Sequence, residues 1–348
     1  MTVEQSGTTI GSIQCLRGIA ALMIVVHHLQ NQLGRLGMAK AEWSSLPAGV
    51  DVFFVISGFI MWVTTASKPE RTALSFYRDR ITRIVPLYWA ITAGLVAVLI
   101  VAPGAANTAI LDWPHIVQSF LFIPAAHPGT NLYQPTLIPG WTLNLEMFFY
   151  LIFGAAMAAG GANLRLRCAI IVLTLVGIVA AGYALRPAGV TAFYAQDIVG
   201  EFALGILIGV AFVERRLPKS NWFWLPLSAG IAMLLIESPL LASESRLVRW
   251  GIPATFIVLG AVFVPQSGPA MLQRLGDWSY SLYLSHPITL AASEKLWSKT
   301  AGGLPLLLFP VFALAVAILA SWIIYRTAEI PMTGVVRRMM LPRLARKA

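Results

Sequence analysis

Charge is what this chain has least of. Asp, Glu, Lys and Arg make up 11% of its 348 residues, against 57% hydrophobic residues. Soluble domains carry about 25% charged residues, so a water-soluble globule is excluded and a polytopic membrane protein is expected. Cysteine is nearly absent as well. Cys15 and Cys168 are the only two; both sit in or beside apolar runs and read as small buried hydrophobes, not as a disulfide framework. The segment ahead of the first apolar run has no Lys or Arg and no small-residue cleavage site, which argues against a cleaved leader. Internal repeats, low-complexity tracts and a second soluble domain are also missing, so residues 1–348 read as one integral-membrane domain.

What is present is a series of apolar runs long enough to cross a bilayer. They fall near 13–33, 46–65, 84–103, 141–160, 167–184, 197–213, 220–236, 250–265, 276–292 and 304–325, which predicts an all-α bundle of about ten spans. Residues 113–123 are too short to cross and contain Pro114 and His115, so they read as a re-entrant or interfacial piece. With the N-terminus inside, 18 of the 25 Lys and Arg fall on inner segments and 7 on outer ones, and the connection from Ala102 to Gly140 has none. That asymmetry places both termini in the cytoplasm. It also accounts for the net charge of +10 without a nucleic-acid partner. Residues 326–348 form a short basic tail suited to the anionic inner leaflet.

The first run, SIQCLRGIAALMIVVHHLQ, carries Arg17, His27 and His28. Ionisable residues facing lipid cost several kcal/mol, so such residues turn towards a protein interior or a wet cavity. Eleven residues on a helix put Arg17 and His28 roughly 20° apart around the axis and about 16 Å apart along it. His27 points about 100° away from His28, so His28 is read as the working imidazole. Asp51 lies near the outer end of the second run, where Ser57 and Gly58 permit close helix approach. Arg80 and Arg83 share a face at the inner mouth of the third run. Their planar forks suit phosphate, although lipid headgroups would use them too.

Glu146 stands among Leu, Met, Phe and Tyr in the fourth run and needs a partner or a proton. A structural ion pair and a catalytic carboxylate are both open for it, while Glu201, nearer a span end, reads as structural. The run LGDWSYSLYLSHP holds Tyr280, Tyr283 and His286 with three serines, a density that lines a wet cavity or joins helices. His115 and His127 lie isolated in the long connection and read as solvated and non-catalytic. No ligand-spaced partners surround them, so no metal site is expected.

Together these stretches resemble the acyltransferase 3 family of integral-membrane O-acyltransferases, most closely its exopolysaccharide-acetylating branch. Arg17 and His28 match its Arg-x10-His. Gly49–Phe59 match GVDxFFVxSGF, Arg80 and Arg83 with Pro86–Trp89 match its Arg-x-x-Arg segment, and Trp141, Thr142, Leu143 and Glu146 match its Trp-Ser/Thr-Leu with a following Glu. Ser279–His286 match Ser-Tyr-Ser-Leu-Tyr-Leu-x-His. The matches run in order along the whole chain. Where many members have a second Glu this chain has Met147, and the secreted esterase domain that many members append is not found in it.

The resemblance implies transfer of an acyl group, acetyl by preference, from cytoplasmic acetyl-CoA to a hydroxyl of an extracytoplasmic or lipid-linked glycan at a bacterial inner membrane. Arg80, Arg83 and Arg17 would hold the CoA moiety. His28 would act as general base or transient acyl carrier, with Glu146 and Arg17 supporting it. Asp51, Ser57, Trp141, Tyr280, Tyr283 and His286 would contact the acceptor. Polysaccharide-assembly proteins are the expected macromolecular partners. The rival from another class is a proton-coupled transporter or flippase relaying protons through His28, Glu146 and His286, but the inverted repeats and paired broken helices common in transporters are not found. A non-catalytic export scaffold would leave the buried Arg and His on one helix face unexplained.

Overall fold

The computed structural model describes residues 10–38, 43–102, 109–236, 245–300 and 304–340. Thirteen α-helices order the described residues: α1 (Gly11–Arg35), α2 (Ala48–Ala66), α3 (Ala73–Val101), α4 (Trp113–Phe120), α5 (Trp141–Gly160), α6 (Leu164–Leu185), α7 (Gly189–Tyr194), α8 (Val199–Val213), α9 (Trp224–Leu235), α10 (Ile252–Phe263), α11 (Ala270–Thr300), α12 (Phe309–Ile324) and α13 (Ile330–Met340). No strand forms among the described residues, whose one β feature is an isolated bridge between Ala126 and Tyr133. Helix is what an apolar chain must choose in lipid, because each backbone N–H and C=O then finds its partner within the segment. Seven segments are long and apolar enough to cross a membrane, and those holding α9 and α10 are apolar but shorter.

All ten expected runs fall on helices, but α11, which holds the ninth, is not among the segments apolar enough to cross a membrane, and there are differences at the ends. The third begins at Ala73 and not near residue 84, so Arg80 and Arg83 lie inside α3. The ninth is a 31-residue helix, α11, which passes through Pro287; a proline inside a membrane helix is tolerated where neighbours satisfy the freed carbonyl. The expected short piece is α4, eight residues long, with the Asp112 side chain accepting from the N–H of His115 and Pro114 in the first turn, a standard helix start. Both cysteines are free, but Cys168 is only half-buried where full burial was expected. Of the basic tail, α13 is described to Met340; Arg343, Arg346 and Lys347, like Lys40 among the outer cations, lie outside the described residues.

The helices divide between two compact units. The first comprises Met1–Ile24, Trp43–Ala73 and Phe148–Ser279; the second comprises Val25–Glu42, Leu74–Met147 and Tyr280–Ala348. In the first unit, Val55, Ile56 and Phe59 of α2 pack with Ile208 of α8 and with Val258, Val262 and Phe263 of α10. Small residues set the spacing there. Gly58 faces the backbone of Phe202, and Gly205 in turn faces the backbone of Val55, so α2 and α8 touch main chain to main chain, as small-residue faces permit. Phe202 stacks on Phe149 with ring centroids 4.1 Å apart and meets Phe54 at 4.7 Å. In the second unit, Trp297 of α11 packs on Phe309 and Phe312 of α12. A π-helical turn, Tyr325–Glu329, joins α12 to α13.

Any side chain at position 205 must push α2 away. Gly205→Leu is therefore expected to cost at least the 1–3 kcal/mol, roughly, of an overpacked core, read as a lower melting temperature in detergent. Gly94, with no atom within reach of an added Cβ, is the control: Gly94→Ala should leave melting unchanged. Equal melting of the two variants would contradict the close approach.

Candidate active site

Four helices bring the candidate residues of the second unit: α1 carries His27 and His28, α3 carries Arg80 and Arg83, α5 carries Trp141, Thr142 and Glu146, and α11 carries Tyr280, Tyr283 and His286. The last three recur at steps of three, so they stand on adjoining turns of one side of the helix. The structure brings His286 onto His28. Their rings stack with centroids 5.0 Å apart and planes 30° apart, while His27 meets His28 edge-on at 5.0 Å. His28 is half-buried; His286 is fully buried.

The state of His286 follows from its contacts. Its Nδ1 lies 2.7 Å from the carbonyl oxygen of Tyr283. A carbonyl can only accept, so Nδ1 holds the proton of that bond. Nε2 is buried with no hydrogen-bond partner among the described residues. A second proton there would bury a charged donor without an acceptor, so the resting ring is neutral with its lone pair on Nε2.

The frame around the pair is built by hydroxyls. Tyr283 donates to the carbonyl of Pro139 at 3.1 Å and lies 2.9 Å from the Thr142 hydroxyl, which itself donates to Pro139 at 3.0 Å. Tyr280 donates to the carbonyl of Ile84 at 2.7 Å. Tyr283 and Tyr280 thereby fix α11 against the start of α5 and against α3. Glu146 and Trp141 are half-buried. Arg80 is buried with its guanidinium 5.7 Å from the Phe76 ring centre, and Arg83, half-buried, lies one turn further along α3.

The remaining predicted residues belong to the first unit. Arg17 is buried and donates to Gln14 Oε1 and to the Ser279 hydroxyl, both at 3.0 Å, while Gln14 donates to Asp277 at 2.8 Å. Asp51 is fully buried and receives two parallel bonds from Arg246, at 2.9 and 2.7 Å. Arg246 also lies over the Trp250 ring at 4.7 Å. Glu201, expected to be structural, is fully buried beside that pair, and neither of its oxygens receives a donor from the described residues. Ser57 is half-buried on α2. By sequence Arg246 is one of the seven outer cations and nothing more. Nothing local marks it as the partner of Asp51, because that pairing is visible only in three dimensions.

One expectation is overturned. His115 and His127 are buried, not solvated. Their rings meet edge-on with centroids 5.3 Å apart, and His127 Nδ1 accepts from the N–H of Gly129 at 3.1 Å. The connection folds back on itself: Ser119 contacts Thr136 at 3.1 Å and accepts from its N–H at 2.9 Å, while Tyr88 donates to the Ser119 carbonyl at 3.1 Å. Burial pushes both imidazoles below their ordinary titration range, opposed at His115 by the Asp112 carboxylate and reinforced at His127 by His115. Among the described residues no group of three or more His, Cys, Asp or Glu side chains is placed to hold a metal.

Known proteins resemble the chain over most of its length. A family model described as an acyltransferase domain matches residues 10–326. The chain is 32% identical over 275 residues to the exopolysaccharide production protein ExoZ of Rhizobium meliloti, covering 75% of this chain and 82% of that protein. It is 25% identical to the acyltransferase MdmB of Streptomyces mycarofaciens, covering 92% and 90% of the two chains. With the O-acetyltransferase OatA of Staphylococcus aureus the identity is 24%, over 91% of this chain and 56% of that protein. No solved structure matches.

Removing one partner of a buried ion pair strands the other charge, at a cost of about 3–5 kcal/mol. Arg246→Ala should therefore destabilise the protein strongly, and Asp51→Asn combined with Arg246→Met should recover much of the loss. Chemical unfolding in detergent measures both, and a double variant no more stable than Arg246→Ala would refute the pairing. The His115–His127 contact gives a pH dependence. In the unfolded segment each imidazole titrates near its ordinary value, about 6.5, whereas in the folded segment it stays neutral to lower pH. The unfolded state thus binds more protons as pH falls below about 6.5. Hydrogen-exchange protection of residues 113–136 should be complete above that pH and decline below it. Protection that rises on acidification would contradict this.

Proposed function

The chain belongs to the acyltransferase 3 family, and we propose that it is a membrane O-acyltransferase moving an acetyl group from cytoplasmic acetyl-CoA to a hydroxyl of an extracytoplasmic or lipid-linked glycan, such as exopolysaccharide. The observation that carries the reading is the His28–His286 stack: a half-buried imidazole held against a second, neutral one, in the unit that also holds Arg80, Arg83 and Glu146. The glycan acceptor is supported by similarity to a protein named for exopolysaccharide production and to one named as an O-acetyltransferase. In this proposal residues 1–348 act as one domain of about ten spans in a bacterial inner membrane, with both termini in the cytoplasm, an orientation that the Lys and Arg asymmetry supports.

In this reading Arg80 and Arg83 bind the phosphates of CoA through paired, charge-assisted hydrogen bonds. Burial of Arg80 fixes its orientation, and the more open Arg83 meets the ligand first. His28 works on the reacting carbonyl or hydroxyl, with Glu146 supporting it. Trp141, Tyr280, Tyr283 and His286 face the acceptor. Membrane lipids surround the spans, and polysaccharide-assembly proteins deliver the acceptor.

Acetyl-CoA turnover by the purified full-length chain in nanodiscs tests the proposal. His28→Ala should lower turnover by about 10² to 10⁴-fold, the usual contribution of a positioned acid–base group, while acetyl-CoA still raises the melting temperature. Arg80→Ala with Arg83→Ala should shrink that melting shift. A well-folded wild type with neither turnover nor a melting shift would reject the acyltransferase reading in favour of a transporter.

A further inference from the structure

A single imidazole can serve as base or as acyl carrier, and the sequence leaves that choice open for His28. The second ring stacked on it divides the two jobs. We propose that the transfer centre uses two imidazoles: His28 carries the acyl group covalently, and Nε2 of His286 takes the proton of the attacking hydroxyl. This rests on the acyltransferase reading above.

Three features carry it. Nε2 of His286 is a fully buried lone pair with no donor among the described residues. Leaving such an atom unpaired costs about 1–3 kcal/mol. A hydroxyl arriving with the acceptor supplies the missing donor. The bond from Nδ1 to the Tyr283 carbonyl fixes the tautomer, so the basic nitrogen is always the one turned away from its own helix backbone. Finally, the two rings differ in access: His28 is half-buried and His286 is fully buried. The more open ring suits the bulky thioester, and the deeper one needs to receive only the hydroxyl of the acceptor. The titratable groups facing His286 are His28 and His27 from α1 and Tyr283 from its own helix.

The steps balance. The unprotonated nitrogen of His28 attacks the thioester carbonyl, a C–N bond forms, and the C–S pair leaves with CoA as thiolate. The resulting acyl-imidazolium lies over the π face of the neutral His286 ring, an arrangement that favours a cation. The glycan hydroxyl then attacks the acyl carbon as its proton passes to Nε2 of His286. The C–N pair returns to His28, which is regenerated neutral. His286 finally yields its proton, which ends on the CoA thiolate as free thiol.

The test uses the full-length chain in nanodiscs, with radiolabelled acetyl-CoA as donor and octyl glucoside as a hydroxyl-bearing acceptor. After rapid quenching and peptide mapping, wild type without acceptor should hold acetyl on the peptide containing His28, and His28→Gln should hold none. His286→Asn keeps an amide N–H for the Tyr283 carbonyl but has no base at the Nε2 position. It should hold label even with acceptor present and transfer about 10² to 10⁴-fold more slowly. Wild type that releases CoA without ever holding acetyl, or His286→Asn turning over at the wild-type rate, would overturn the division of roles while leaving the acyltransferase reading intact. Wild type that neither binds acetyl-CoA nor releases CoA would overturn the reading itself. The wild-type labelling needs no variant, so it decides whether His28 carries the acyl group even if His286→Asn does not fold.

Discussion

The packing of one imidazole on another, His28 on His286, is the contact that the second unit is arranged to hold. Two polar rings side by side in an apolar bundle are costly unless their hydrogen bonds are made. The α11 backbone meets part of that need by accepting the Nδ1 proton of His286 through Tyr283. The Tyr283 hydroxyl is tied in turn to Thr142 and Pro139. A displacement of α5 would therefore be felt at the ring stack through a chain of short, directional bonds. Pro287, directly after His286, stops the helix from closing a full hydrogen-bond ladder at that level.

The first unit solves a different problem. It buries Asp51 and Glu201 completely and sets one guanidinium, Arg246, against the former. In a low-dielectric setting such a pair is no sure source of stability, because the desolvation of both ions opposes their attraction. Its clearer effect is on specificity of packing, since the paired bonds between Arg246 and Asp51 are lost if α2 rotates. The glycine-mediated contact of α2 with α8 restricts the same helix by shape. Charge and sterics thus fix one element twice.

Much of this was legible in the chain. The scarcity of charge and the lengths of the apolar runs gave the helices, and the eleven-residue spacing on the first of them picked out Arg17 and His28. The motif in α11 identified Tyr280, Tyr283 and His286 as a polar group. What could not be read was which distant side chains meet. By sequence His286 stands among acceptor contacts and meets His28 only in the rival proton-relay reading, while Arg246 looks like an ordinary loop cation. Periodicity reports which face a residue occupies, never what lies opposite. The error over His115 and His127 has the same origin: a polar connection reads as solvated until its fold-back is seen, and here the Asp112 cap, the Ala126–Tyr133 bridge and the Ser119–Thr136 contact close it over both rings.

In the proposed mechanism His28 and His286 act as one centre. A double-mutant cycle on acetyl-CoA turnover, with His28→Ala, His286→Asn and the pair combined, addresses it directly. Residues that work as a unit are strongly non-additive, so the double variant should lose little more than the worse single one. Losses that multiply, each variant acting independently of the other, would show two unconnected residues and contradict the account.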